Sequence, residues 1–205
     1  MTSRQNRKNR TTVQREKQIL EAALNVFSRQ GFDKATVPDI AQEAGIAVGT
    51  IYNYYPSKRD VLVAITNKYI IEPFTKFASR PSDSTDAEFI AAIMENRLNF
   101  GLEGLERFIP LFMEVQRDPQ LRRDYSEKVL RPVMNMMGKM IESRIKAGAF
   151  RDVNPLVITR AIGGMVIGFM LLYRIERENS PVHGIDRKQM ANEMAGLVLH
   201  GLEKK

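Results

Sequence analysis

Tyr52, Asn53, Tyr54 and Tyr55 stand in an unbroken row and are followed at once by Pro56, Ser57 and Lys58. Phenols, an amide and an ammonium so close together can donate to and accept from phosphate oxygens and base edges. Asn suits the donor–acceptor pair of adenine, and Lys suits a phosphate. Chemistry of another kind has little to work with. The chain has no cysteine, so disulfides and thiolate metal sites are excluded, and His183 and His200 are its only imidazoles. Neither histidine has a serine or acid at a recognisable motif spacing, and there is no P-loop or Gly-x-Gly-x-x-Gly. Neither an enzyme nor a cofactor or metal is expected.

The polar row must be held by short helices. Apolar residues recur at helical spacing nearly everywhere, no hairpin signal separates alternating runs, and the expected class is all-α. A first helix is expected from Thr11, where Thr11 and Gln14 could form a capping box, to Gly31. Its inward face would be Ile19, Leu20, Ala23, Leu24 and Phe27, with Phe32 packing back on Phe27. Thr36 should cap a second helix, with Pro38 in its first turn, Asp39 near its positive end and Gly45 as its stop. A tight turn then leads to a third helix, Val48–Tyr55, ended by Pro56. Ser57 and Asp60 open a fourth. Two short helices joined by a glycine turn and carried on a longer one make a helix-turn-helix, whose second helix enters the DNA major groove. Ile51 and Tyr55 are expected to pack inward, leaving Tyr52 and Asn53 outside.

Charge agrees with a polyanionic partner. The net charge is +7, and residues 1–60 hold ten Lys/Arg against six Asp/Glu. Arg4, Arg7, Lys8 and Arg10 meet no acid in the first ten residues, which reads as a basic disordered arm, 1–10, suited to phosphates or simply solvated. The longest uncharged apolar run, Ala161–Tyr173, holds 13 residues where a bilayer span needs about 20. No membrane partner is expected, and a cysteine-free chain without a signal sequence fits the cytoplasm.

Residues 19–62, "ILEAALNVFSRQGFDKATVPDIAQEAGIAVGTIYNYYPSKRDVL", closely resemble the DNA-binding segment of the TetR/AcrR transcriptional regulators. The shared pattern is an aromatic before a glycine–aromatic pair, a threonine before Ile-Ala, then Gly-x-x-x-Gly-Thr-hydrophobic-Tyr-x-Tyr-aromatic-Pro-Ser-Lys. The resemblance implies a helix-turn-helix domain at 11–57 and a ligand-binding and dimerisation domain at 58–205. It implies Thr36 as a phosphate-binding cap, with Val48, Gly49 and Thr50 as the leading edge of the recognition helix. Tyr52, Asn53 and Tyr54 become the main DNA-facing positions and Lys58 a phosphate anchor. Ala47 stands where the family often has a serine, so that hydroxyl contact is missing.

The implied partners are a double-stranded DNA operator, a small-molecule effector and a second copy of the chain. The commoner mode of the family is repression. Thr85 and Glu88 should open a helix after the polar stretch 79–86, another is expected over about Leu105–Gln116, and Pro132 should kink a long segment closed by Gly148. Asn154-Pro155 opens the most apolar helix, where Gly163, Gly164 and Gly168 would admit another backbone. Paired with a last helix starting near Asp186, it is the expected homodimer interface. Phe108, Phe112, Met113, Met134, Met137, Met140 and Met165 could line a cavity for a lipophilic effector or could be core filler, with Arg97, Glu114 and Arg117 as possible polar contacts. A helical protein that binds DNA without ligand control is the remaining alternative. A steep salt dependence without sequence preference would distinguish it.

Overall fold

The computed structural model describes residues 3–79, 85–103 and 108–202, the side chains of 3–10 and 103 excepted. The fold is all-α, and the chain divides into two compact units. Unit 1 comprises Met1–Ile71 and Glu106–Val129; unit 2 comprises Glu72–Leu105 and Leu130–Lys205. These compact units differ from the division expected after residue 57. The fourth helix stays with the first three, and a later segment of the chain returns to them.

In chain order the helices are α1 (Ser3–Lys34), α2 (Val37–Ala44), α3 (Val48–Tyr52), α4 (Lys58–Thr66), α5 (Glu72–Ala78) and α6 (Asp86–Glu103). They are followed by α7 (Ile109–Arg117), α8 (Pro119–Tyr125), α9 (Arg131–Lys146), α10 (Pro155–Glu176) and α11 (Arg187–Leu202). Unit 1 holds α1–α4, α7 and α8.

The backbone of residues 3–10 is helical, which corrects the expected disordered arm. No Gly or Pro lies between Ser3 and Gly31 to stop propagation, so the helix passes through Thr11 rather than starting there. Gly31 does break its geometry, at φ 79° and ψ 161°, a region open essentially only to glycine. Phe32 then packs on Phe27 with ring centroids 5.2 Å apart. The expected inward face of α1 is buried, together with Ile40 of α2, Ile51 of α3 and Leu62 and Ile65 of α4. Full burial of each such side chain stabilises by about 1.5–3 kcal/mol relative to exposure. The sum fixes α2 and α3 against α1.

Among the described residues, two π-helical turns interrupt the helices, Asn67–Ile71 and Ser126–Leu130. Each ends two residues before a proline, Pro73 and Pro132. Proline lacks the N–H that would reach the carbonyl four residues back, and its ring crowds that carbonyl; widening the preceding turn relieves both. The kink expected at Pro132 takes this form.

In unit 2, α6 packs against α10 and α11, and α9 against α10. Thr85 caps α6 through its hydroxyl, with Glu88 bonding back to the Thr85 N–H at 2.9 Å, while residues 80–84 of the polar stretch lie outside the described residues, as do 105–107 before α7. Asn154 caps α10 with Pro155 at its first position. The core gathers Met94, Leu98, Ile141, Phe150, Val166, Met170, Met190 and Met194. At Gly101 a Cβ would stand 1.7 Å from Met170 Sδ, so a larger residue there would require the Met170 side chain to move.

Much of α10 is uncovered. Val157, Ile167, Leu171, Leu172 and Ile175 are each more than half exposed, as is Leu197 of α11. The residues fall on a stripe that also carries Gly164 and Gly168, where an added Cβ would meet nothing within 4 Å. By length and composition α10 with its following turn, Pro155–Asn179, would suffice to cross a bilayer, and 17% of its most apolar window is buried. An apolar run of 13 residues understated it, because Arg160 and Arg174 interrupt the run without making the helix polar overall.

Candidate nucleic-acid interface

The recognition element is built from its caps outward. Thr36 accepts from Asp39 N–H at 3.2 Å, and the Asp39 carboxylate accepts from Thr36 N–H at 2.9 Å and from the Thr36 hydroxyl at 2.7 Å. These Thr36 hydrogen bonds hold the Asp39 carboxyl below its ordinary range. Thr36 is exposed, as a phosphate contact requires, but its hydroxyl proton is committed to Asp39. Gly45 closes α2 at φ 64°, in the left-handed region, and Ile46 N–H returns to Ala41 O at 3.0 Å. That turn aims α3.

The helical run of α3 is shorter than expected, five residues ending at Tyr52, with Asn53 and Tyr54 in a turn. Pro56 constrains the residue before it away from helical dihedrals, and the end frays backward from there. Ala47 caps α3 without a side-chain bond, as its missing hydroxyl implied.

Inside and outside are cleanly separated. Ile51 is fully buried, and the Tyr55 hydroxyl donates to Glu16 Oε1 at 3.1 Å; burial, reinforced by that carboxylate, pushes the Tyr55 phenol well above its ordinary range. Both are anchors, in keeping with the expectation. Tyr52 is 51% exposed and Asn53 is exposed, while Val48, Thr50 and Tyr54 are half-buried. Gly49 is exposed, its φ is not positive, and a Cβ there would touch nothing within 4 Å. The fold has no use for a glycine at this position.

Lys58 is engaged within the chain. Its Nζ donates to the carbonyls of Phe32 (2.6 Å), Asp33 (3.2 Å) and Ala35 (2.9 Å) and lies 4.4 Å from the Phe32 ring centroid. All three ammonium protons thus close the end of α1, where unpaired carbonyls carry the negative end of the helix dipole. Desolvation in this setting lowers the Lys58 pKa. The residue clamps two helices within the chain.

Sequence reasoning also missed the groups that brace α4. Arg59 Nε meets Asp118 Oδ2 at 2.5 Å, and Lys128 Nζ meets Asp60 Oδ1 at 3.2 Å. Burial alone would raise the Asp60 carboxyl, but the Ser57 hydroxyl and Lys128 hold it below its ordinary range. Glu114 of α7 is buried, and burial followed by the neighbouring Asp33 pushes its carboxyl upward. The partners are 59 and 68 positions apart in the two ion pairs, beyond the reach of any local pattern.

The seven candidate effector contacts do not gather in one unit. Phe108, Phe112 and Met113 belong to unit 1, where Phe108 faces Tyr69 at 6.4 Å and the other two are about half exposed. Met134, Met137, Met140 and Met165 belong to unit 2, half-buried, with Met165 against the core. Two pockets of about 520 and 250 Å³ in the described residues are lined by other side chains.

Residues 19–65, spanning α1 to α4, match the profile of bacterial regulatory proteins, tetR family. The matched segment is that of a TetR-family regulator. The exposed face of α3 lies within this matched segment. A curated relative, the HTH-type transcriptional regulator YfiR of Bacillus subtilis, is 28% identical over 149 residues, 69% of this chain and 71% of its own. The solved structure of the fatty acid degradation regulator FadR from Bacillus halodurans superposes with a TM-score of 0.70 at 21% identity, covering 93% of this chain and 97% of that one. SmeT in complex with triclosan gives 0.69 at 21%, covering 93% and 92%. SmeT is the repressor of the Stenotrophomonas maltophilia multidrug efflux pump SmeDEF. At these identities the superpositions establish the fold alone, which is TetR-like.

Proposed function

We propose that this chain is a TetR-family, ligand-responsive repressor that binds a palindromic operator as a homodimer and is released by a small lipophilic effector. The observation that carries the DNA reading is the split across α3: Ile51 and Tyr55 sealed into the core, Tyr52 and Asn53 outside. A helix anchored on one side by two buried residues presents the other side at low entropic cost, and bases are read by polar tips held in place. Val48, Gly49 and Thr50 form the approach edge, with Thr36 beside the N–H groups that open α2. Lys58 serves by holding α4 to α1.

The homodimer reading rests on the apolar stripe of α10 with Leu197 of α11. Its small residues and exposed aliphatic side chains fit a second copy, two helices from each subunit forming a four-helix bundle. A symmetric dimer sets two copies of α3 about 34 Å apart, one turn of DNA. The effector reading draws on SmeT, a family member bound to triclosan, and on the methionine-rich interior of unit 2. A ligand preferring a conformation with altered spacing releases the operator, the usual coupling being about 1–3 kcal/mol.

Selection of bound sequences from random duplexes should return an inverted repeat. Binding with a steep salt dependence and no enriched sequence would instead mark an architectural protein.

A further inference from the structure

Some arginines in this protein pair with carboxylates, while others donate to neutral oxygens, Arg122 to Gln116 O and Arg151 to Gly201 O. Arg29 pairs with Glu43, Arg59 with Asp118 and Arg144 with Asp86. Arg97 of α6 is also without a carboxylate, and it lies against two aromatic rings. Its guanidinium carbon lies 4.6 Å from the Phe74 ring centroid and 5.4 Å from that of Phe100, all three residues in unit 2. Five N–H donors belong to a guanidinium. Among the described residues, Arg97 has one hydrogen-bond acceptor, Asn96 Oδ1, at 2.6 Å and 3.2 Å, and no carboxylate within ion-pair distance.

Such a cation has given up water without gaining an anion, and desolvation pulls its pKa down to about 10. The two rings stabilise the positive charge through their faces, each by about 0.5–2 kcal/mol, but a π face accepts no proton in the plane of the fork. Donors are left over. A carboxylate or phosphate meets that fork in a bidentate way, with more strength and direction than any neutral acceptor provides. The same unit supplies an adaptable apolar interior, rich in Met94, Met165, Met170, Met190 and Met194.

We propose that Arg97 binds the head group of an anionic amphiphile, a carboxylate or phosphate ending an apolar chain, while Phe74 and Phe100 hold the guanidinium in place. The proposal rests on the effector reading and narrows it: the effector is an acid, and Arg97 separates it from neutral molecules of the same length.

Calorimetric titration of the full chain with dodecanoate, dodecyl phosphate and dodecanol, below their micelle concentrations, tests this. One or both anions should bind at least about tenfold tighter than dodecanol, the lower end of what a charge-assisted pair contributes. The anion that does so identifies the head group. Arg97→Gln should abolish the preference and leave dodecanol affinity in place. Arg97→Lys, which keeps the charge and loses the fork, should retain part of it and serves as the second variant if Arg97→Gln fails to fold by circular dichroism. Equal binding of anions and alcohol by the unaltered protein, or an anion preference that survives in both variants, overturns the assignment of Arg97 while leaving a lipophilic effector standing. If none of the three compounds binds, the assignment and the lipophilic reading fall together. Anions that bind through Arg97 yet never release operator DNA support the assignment and overturn the switch.

Discussion

Replacing Gly49 by alanine separates what the fold needs from what an interface needs. Glycine within a helix costs about 0.5–1 kcal/mol relative to alanine, because more backbone freedom is lost on folding. Nothing offsets that cost in the free protein, since φ at Gly49 is not positive and an added Cβ meets no atom within 4 Å. Gly49→Ala should therefore raise stability by about 0.5 kcal/mol, the low end being appropriate to a five-residue helix. For a chain of this length that is about 1–2 °C in Tm. The same methyl stands on the exposed edge of α3 where, on the proposed reading, the phosphate backbone comes close. Operator affinity should drop at least about tenfold, equivalent to about 1.4 kcal/mol. Thermal unfolding followed by circular dichroism gives the first quantity and fluorescence anisotropy on a labelled operator the second. A variant that gains stability and keeps full affinity would remove Gly49 from the interface; one that loses stability would contradict the packing itself.

Lys58→Met should destabilise unit 1 by about 2 kcal/mol in urea unfolding, from charge-assisted hydrogen bonds lost by three carbonyls, yet leave the salt slope of DNA binding unchanged. A slope lower by about one with unaltered stability would restore the phosphate anchor. Asp39, Asp60, Glu88 and Asp118 all have carboxyl pKa values lowered by folding, so the unfolded chain binds more protons. The stability they contribute is present at neutral pH and is lost as pH falls through and below the ordinary carboxylate range, which urea midpoints between pH 7 and pH 3 should trace. Leu197→Glu alters a side chain that is 71% exposed in the single chain, so a folded monomer is expected by sedimentation, with operator binding lost. A dimer persisting in this variant would move the interface elsewhere.

What the sequence made legible is local. The caps at Thr36, Ser57, Thr85 and Asn154 and the stops at Gly45 and Gly148 are decided by a side chain and backbone groups within a few positions, so spacing alone reveals them. The inside and outside of α3 were legible for the same reason. The fate of Lys58 was not, because its acceptors are carbonyls 23 to 26 positions earlier, brought close only by the angle between α1 and α4. Thr11 and Gln14 carry a genuine capping signature, yet with no breaker before them the helix ran through it. Ion pairs between α4 and the α7–α8 segment, and the return of that segment to unit 1, depend on tertiary packing that no window of residues encodes. Arg97 was visible as a charge, whereas its lack of a counter-ion was visible only once its neighbours were placed.

The DNA-reading role of α3 is tested most directly by repeating the random-duplex selection with Tyr52→Ala and Asn53→Ala beside the unaltered protein. Each substitution should relax the preference at particular positions of each half-site, with folding intact because both side chains lie outside the core. Recovery of the same sequence motif, at the same information content, from both variants would contradict the assignment of these two residues as readers.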